Sequence, residues 1–514
     1  MVKFLLSIQL SLFILLQANA QSNLVLDNDF AQNGWDTIQL RTNQYFKVKK
    51  LFITNEGKLL VCGSYNTVFE SFCPMMFRYN SDGTIDESFG DDGFIKVWDL
   101  ISGTPNLETN DFLQRPDGKI VFACFSNNTG RTSIYQLLEN GQLDVNFGDN
   151  GIITFDDGEY SMMSSINLQE DGKLVCFFDR NVFNNGREYQ LIRYNSDGSV
   201  DNTFGNEGTV SFSFPDVQDY YNNNSYNVFI DSDGFISIVF IHLEDFVSTP
   251  YVMRFTPSGD VDTAFGDTGQ IVLPFEEAFW YLNFSTVMSN DNIYLAAFSS
   301  IYNEEEDEYY SAVRIYTIES NGNYSSVALT HPLLIGDFSI ENLHLSMFLN
   351  QYYLSFSNEM GSFILVANED GTLDNSINGS GIILVPGIPD KWMRGNHPLA
   401  FDNEQRIYFG TSYEEYDDME FFNYTCRFKS QPVGVSSNKH SHLAVYPNPT
   451  QGLVFIEGLV GPASIAIYDL QGRLIERREN FTENSLQLKQ TKSGVYFMQI
   501  QNKEGVFTQK IIIQ

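Results

Sequence analysis

Cysteine is scarce in this 514-residue chain, with only Cys62, Cys73, Cys124, Cys176 and Cys426. The number is odd, the chain is large and no pair has CxxC spacing, which argues against a disulfide framework and a structural zinc site. Cys62, Cys124 and Cys176 each follow a Gly-Lys pair inside an apolar run, where a small buried hydrophobe is the expected role. Histidine is also sparse: there are six, with no HExxH and no paired spacing. Basic residues are the third deficit, 30 Lys and Arg against 65 Asp and Glu, for a net charge of −35. Phosphate backbones are bound by Lys and Arg, so no nucleic acid is expected as a partner. The acidity reads as solubility and mutual repulsion. Beyond the first twenty residues no run is long and apolar enough to span a bilayer as a helix. No stretch keeps a 3.6-residue apolar period over three turns, which removes the usual helix signal. No metal triad or phosphate-cradling glycine loop occurs, and no cofactor is expected.

Aromatics and glycine are plentiful: 44 Phe, 27 Tyr and 38 Gly. Aromatic runs punctuated by glycine favour short strands joined by turns. Residues 1–20 have the form of an export signal, with Lys3, an apolar run from Phe4 to Leu16, and Ala18-Asn19-Ala20 as a small-residue cleavage site before Gln21. That run is broken by Ser7, Gln9 and Ser11 and is too short for a membrane anchor.

Internal similarity dominates residues 21–429. YNSDGTIDESFGDDGFIKV from Tyr79 is repeated as LENGQLDVNFGDNGIITF from Leu138, YNSDGSVDNTFGNEGTVSF from Tyr194 and FTPSGDVDTAFGDTGQIVL from Phe255. Weaker copies start at Ala367 and Thr317, and Leu26 opens what looks like the second half of one more unit. The aligned positions are Asp27, Asp86, Asp144, Asp201, Asp262, Ser325 and Asp374, roughly 58 residues apart. Between them recur Asn-Glu-Gly-Lys at Asn55, Pro-Asp-Gly-Lys at Pro116 and Glu-Asp-Gly-Lys at Glu170, each flanked by apolar runs. Such glycine turns between β-rich runs signal hairpins. Each unit therefore holds two glycine hairpins and about four strands, which fits a propeller blade better than a solenoid coil. Half-units of both kinds number seven, and the chain starts with one kind and ends with the other. The expectation is an all-β, seven-bladed β-propeller whose N-terminal strands complete the last blade and remove two sheet edges.

The pattern DGK…RYNxDGxxDxxFGxxG resembles the delta-60 repeat, a β-propeller family of secreted bacterial proteins, over about residues 24–428. The departures are Ala31 for glycine in the first unit, Ile377-Asn378 for Phe-Gly in the last, and loss of the motif near Ser325. The resemblance implies a fold and no particular activity. Residues 430–443 are polar and rich in breakers, as a linker is. Residues 444–514 then alternate apolar positions in short strands, a small β-sandwich by pattern. Their signature is Tyr446-Pro447-Asn448-Pro449, the turn from Asp469 to Gly472-Arg473, a strand with Gly494 and Tyr496, and Lys510 before an apolar end. It is similar to the type A C-terminal sorting domain of the type IX secretion system. That resemblance implies engagement of the secretion machinery, passage of the outer membrane, removal of the domain, and release or surface attachment.

No catalytic constellation stands out. Asp82, Asp86, Asp197 and Asp201 place oxygens at alternate loop positions, loosely as in calcium sites, though Asn, Asp and Gly build ordinary turns equally well. Phe89, Phe147, Phe204 and Phe265 recur once per unit and are expected to pack between blades. Acidic runs from Glu304 and from Glu414 fall in loops and mix carboxylates with tyrosines. The functional expectation is a binding or adhesion module for a glycan or surface ligand. The alternative is an extracellular hydrolase or lyase acting on polysaccharide or peptide through residues on the blade loops.

Overall fold

The structure, a computed structural model, describes residues 22–513 apart from 40–43, 68–69, 98–106, 157–159, 183–185, 213–225, 245–246, 275–282, 304–307, 330–340, 359–360, 387–391, 395, 416–419, 433–443, 447–449, 451, 458, 460, 469–473, 484, 489–493 and 503–504. The expected export signal and nearly all of the expected linker lie outside the described residues. Two compact units separate by their contacts, Asn23–Gln431 and a C-terminal unit from Pro432 to Gln514.

The larger unit is a ring of seven antiparallel sheets. Blade 1 consists of β3 (Gln44–Ile53), β4 (Leu59–Thr67), β5 (Glu70–Tyr79) and β6 (Phe94–Lys96), paired in sequence order. Blades 2 to 6 repeat it: β7 (Leu107–Gln114) to β10 (Ile152–Phe155), β11 (Tyr160–Leu168) to β14 (Thr209–Phe212), β15 (Tyr226–Ile230) to β18 (Gln270–Val272), β19 (Asn283–Ser289) to β22 (Tyr324–Leu329), and β23 (Glu341–Phe348) to β26 (Ile382–Val385). Blade 7 holds β27 (Trp392–Arg394) and β28 (Leu399–Phe401), two pieces of one inner strand beside β29 (Ile407–Glu415), followed by the long β30 (Glu420–Pro432).

The glycine turns account for how blades adhere. In blade 1 the second turn returns for only one bridge, Tyr79 to Ile85, and the chain then leaves the ladder before β6. This differs from the simple hairpin read from sequence. The excursion, Asp86 to Gly93, is a docking loop. Asp86 accepts the backbone N–H and hydroxyl of Ser88, and its other oxygen takes Arg78 Nε at 2.7 Å and Lys58 Nζ at 3.1 Å. The Arg78 guanidinium covers the ring of Phe89 at 4.5 Å and donates to the carbonyl of Glu139 in blade 2. The Gly90 amide donates to the Asn140 carbonyl of the same neighbouring turn. Arg193, Asp201 and Phe204 repeat the arrangement toward Pro257 of blade 4. Glycine at the turn tip is required by contact as well as by φ. A Cβ on Gly198, at φ +88°, would stand 2.7 Å from the amide nitrogen of Gly148 in the preceding blade. The recurring phenylalanines are thus buried between blades, as expected.

The departures from the repeat have physical reasons. Near Ser325 the docking loop is gone, and β21 (Glu308–Ile318) and β22 form a plain hairpin from Ile318–Tyr324 to Val313–Leu329. Blade 7 has no second glycine turn, because β1 (Ser22–Leu26) and β2 (Trp35–Gln39) both pair with β30. Asn378 stands where blade 6 would otherwise receive that turn, and its Oδ1 accepts the Leu24 amide at 2.8 Å. Ala31 receives the blade 1 turn through its amide, which donates to the Asp82 carbonyl at 2.7 Å. Asp27, from the N-terminus, pairs with Arg427, from the far end of the ring, at 2.6 Å, and Arg427 lies over Phe30. The ring is closed by strand exchange, with the same latch used between internal blades.

The C-terminal unit has a three-stranded sheet of β31 (Ala444–Tyr446), β32 (Leu453–Glu457) and β35 (Ser485–Gln487). Its second sheet runs β34 (Leu474–Phe481), β33 (Ala463–Tyr468), β36 (Gly494–Asn502), β37 (Gly505–Ile513). Val454, Ile456 and Leu486 of the first sheet share one core with Ile465, Ile467, Met498 and Ile511 of the second. Alternating burial on both inner faces makes this a small sandwich.

Phe30 is fully buried although it lies near the chain start. Phe30→Ala should cost about 3–5 kcal/mol, the range of a core phenylalanine truncation, and match Phe204→Ala in a denaturant titration. A loss below about 1 kcal/mol would mean that the N-terminal strands are not part of the closed ring.

Candidate ligand-binding site

An antiparallel meander alternates ends, so the two ends of the propeller differ in kind. One end gathers the Gly-Lys turns and the docking loops, all latched blade to blade. At the other end each outer strand finishes and the next inner strand begins, beside the hairpins between second and third strands; the connecting residues 98–106, 213–225, 275–282 and 330–340 lie outside the described residues. β20 (Asn292–Asn303) and β21 form the longest of these hairpins among blades 1 to 6, paired out to Asn303–Glu308. The acidic runs from Glu304 and Glu414 fall at the irregular end; their tips, 304–307 and 416–419, lie outside the described residues.

The aspartates that loosely matched a calcium loop sit at the opposite, latched end. Asp82 and Asp197 accept from the amide and hydroxyl of Thr84 and Ser199 and lie on exposed turns. Asp86 and Asp201 are buried and face arginine and lysine. Burial alone would raise the pKa of Asp86, but the Ser88 hydroxyl and the Lys58 and Arg78 cations outweigh it and hold the carboxyl well below the usual carboxylate range. Among the described residues no group of three or more His, Cys, Asp or Glu is arranged to hold a metal ion. The five cysteines are buried and none is in a disulfide among the described residues, and burial raises the thiol pKa of Cys62, Cys124, Cys176 and Cys426.

The channel wall carries chemistry that the repeat pattern did not point to. Inner strands β3, β7 and β11 each contain a β-bulge at the same offset from the following turn glycine. Lys49 is the extra residue between the Val48–Gly63 and Lys50–Cys62 pairs, Asn110 between Thr109–Cys124 and Asp111–Ala123, and Ser164 between Met163–Phe178 and Ser165–Phe177. A bulge shifts the alternation of side chains by one position. Val48 and Leu51 accordingly both face blade 7 beside Gly410, while Lys49 and Lys50 both reach blade 2. Lys49 donates to the Thr109 carbonyl, and Lys50 donates to the Phe112 carbonyl at 3.0 Å and pairs with Asp111 at 2.6 Å. The second Asp111 oxygen accepts the Ile166 amide of blade 3 at 3.0 Å. Side chains therefore satisfy strand edges that face the axis. The only sequence signal was the shared spacing to the turn glycine, invisible because residues of three different chemistries occupy it.

Two histidines stand near the same wall. Burial pushes the His344 imidazole down to about 4, and Lys50 adds to the shift. His397 is fully buried, and burial with the neighbouring His344 lowers it to about 3. His397 Nε2 is 2.6 Å from Ser357 Oγ, which is 2.6 Å from Ser362 Oγ, and the His397 carbonyl accepts Ser355 Oγ. This network ties blade 6 to blade 7. The imidazole stacks on Phe409, and its Nδ1 has no hydrogen-bond partner among the described residues.

Of the sorting signature, Tyr446 lies in β31, Gly494 and Tyr496 in β36, and Lys510 in β37 opposite Phe497. Pro447, Asn448, Pro449, Asp469, Gly472 and Arg473 lie outside the described residues.

Comparison with known families agrees with this division. Residues 444–514 match the secretion system C-terminal sorting domain. Residues 55–89, 115–147 and 169–204 match the DUF5122 β-propeller, a domain of unknown function. The chain is a β-propeller repeat protein with a type IX secretion sorting domain, which implies secretion or surface attachment. No curated protein matches it. Similar solved structures include the β-propeller domain of the Trilobed protease from Pyrococcus furiosus, at 11% identity, TM-score 0.41, covering 76% of this chain and 99% of that one. Polysaccharide lyase Uly1 is similar at 12% identity and TM-score 0.44, covering 73% and 89%. Drosophila Semaphorin 2a is similar at 9% identity and TM-score 0.42, covering 96% and 98%. Among the described residues no helix is long and apolar enough to cross a membrane.

A histidine whose folded pKa is depressed binds fewer protons when folded than when unfolded, so its contribution is complete above its ordinary value of 6.5 and is lost as pH falls. Between pH 6.5 and 4.5, His397 should cost about 1.4 kcal/mol per pH unit. In His397→Gln that slope should flatten, as read from urea midpoints. Equal slopes in both proteins would contradict the assignment.

Proposed function

We propose that the propeller is a ligand-binding module carried outside the cell by the C-terminal sorting domain, and that it meets its ligand at the irregular end and the adjoining channel. The observation that carries this reading is the asymmetry of the two ends. One end is consumed by latches, whereas the other is built from connections of unequal length and composition. Surface loops positioned by a rigid scaffold are where recognition residues gather. Tyrosines mixed with carboxylates, as around Tyr309 and Tyr416, suit stacking on sugar rings and hydrogen bonding to hydroxyls. The ligand class this favours is a surface glycan. A second reading, a lyase or hydrolase, is favoured by one observation: His344, neutral at physiological pH, shares the channel wall with Lys50 and Asp111.

A pull-down from cell-surface polysaccharide should retain the ligand on the full-length chain without releasing products. Tyr309→Ala and Tyr416→Ala should each weaken retention several-fold. Steady product release that disappears in His344→Ala would establish the enzyme reading instead. For export, deletion of residues 444–514 should leave a folded propeller in the periplasm. Recovery of that truncated protein outside the cell would contradict the role given to the domain, and so would finding it unfolded.

A further inference from the structure

The chain has fewer than half as many basic as acidic residues, yet β3 places Lys47, Lys49 and Lys50 within four positions of one inner strand. In a regular strand, Lys47 and Lys49 would share a face and Lys50 would point to blade 7. The bulge at Lys49 turns Lys50 to the same side, so all three ammonium groups are presented between blades 1 and 2.

Their roles differ. Lys49 and Lys50 are held by the carbonyls of Thr109 and Phe112, and Lys50 also by Asp111, so both brace the neighbouring blade. Lys47 is exposed and has no ion-pair partner among the described residues. The carboxylates facing the group are Asp111 and Glu108 on β7. Asp111 is engaged by Lys50 and by the amides of Phe112 and Ile166. Three ammonium groups against two carboxylates leave one positive charge, in a protein whose charge elsewhere is strongly negative. Burial lowers the pKa of Lys49 despite Asp111 and Glu108, and burial lowers that of His344, with Lys50 adding to the shift.

We propose that this wall is an anion subsite, in which Lys47, beside Lys49 and Lys50, binds the carboxylate or sulfate of an acidic saccharide. The proposal rests on the glycan-binding reading above and narrows it to a charged sugar. Low-dielectric walls strengthen such a contact.

The test is isothermal titration of the full-length chain with oligogalacturonate, its methyl ester, sulfated galactan oligomers and a neutral galactan. Oligogalacturonate or the sulfated oligomer should bind at least ten-fold more tightly than the ester or the neutral polymer, and the stronger of the two identifies the anion. Lys47→Gln should lose at least ten-fold in that affinity with an unchanged thermal midpoint, and Lys47→Arg should recover most of it. Bound ligand should also move the His344 titration upward by NMR, a shift that a merely structural lysine would not produce. Equal binding of ester and acid, or unchanged affinity in Lys47→Gln, would overturn the anion subsite. Retention of neutral galactan alone would do the same while leaving the glycan-binding reading intact, and failure to bind any saccharide would remove both.

Discussion

The ring depends on a buried pairing that recurs at several blade corners, a carboxylate held by a guanidinium that also reaches into the next blade. Arg78 with Asp86, Arg193 with Asp201 and Arg427 with Asp27 are nearly inaccessible on both sides. A buried ion pair is weak as a source of net stability, because desolvation offsets most of the attraction. Its consequence here is positional. Losing one partner would strand a buried charge at a cost of about 3–5 kcal/mol, so each blade that carries the pair holds its docking loop in a single arrangement. The phenylalanine beneath the guanidinium and the glycine turn of the neighbour then fit only that arrangement. The pairs inside the ring would still leave it open. The pair of Asp27 with Arg427, made between residues 400 positions apart, joins the ends.

Much of this was legible in the sequence because the latch residues recur with fixed spacing. Asp86 and Phe89, Asp144 and Phe147, and Asp201 and Phe204 are three apart in each unit, and the mismatched half-units at the termini implied strand exchange. The small sandwich at residues 444–514 was legible from alternation alone. What the repeat could not convey was the meaning of its own departures. Asn378 replaces glycine because it caps a strand end rather than receiving a turn, and residues around Ser325 lose the motif because that blade has a plain hairpin. The bulges escaped notice for a related reason. Register is a relation between two strands, and Lys49, Asn110 and Ser164 share no chemistry that would mark it.

The candidate site was less legible than the fold. Tyrosine and acid in the long connections could be read directly, since composition is local. The channel group could not, because Lys50, Asp111 and His344 come from blades 1, 2 and 6 and meet only when the ring closes. Sites of this kind depend on closure in the strict sense: opening the ring between blades 7 and 1 would separate Lys50 from His344. The latched end and the irregular end thus divide the labour of the molecule. Repetition stabilises one, and variation at the other is free to serve recognition.

Native-state hydrogen exchange tests that dependence most directly. The amides of Asp27 and Arg427 are bonded across the closure to the carbonyls of Arg427 and Gly34, as those of Asp86 and Arg78 are bonded to the carbonyls of Arg78 and Gly93 within blade 1. If the terminal latch is equivalent to the internal latch of blade 1, all four amides should exchange with similar protection, through opening of the ring as a whole. Exchange of Asp27 and Arg427 at the rate of a frayed terminus, with Asp86 and Arg78 still protected, would show that the ring is stable without its closure and would contradict the account.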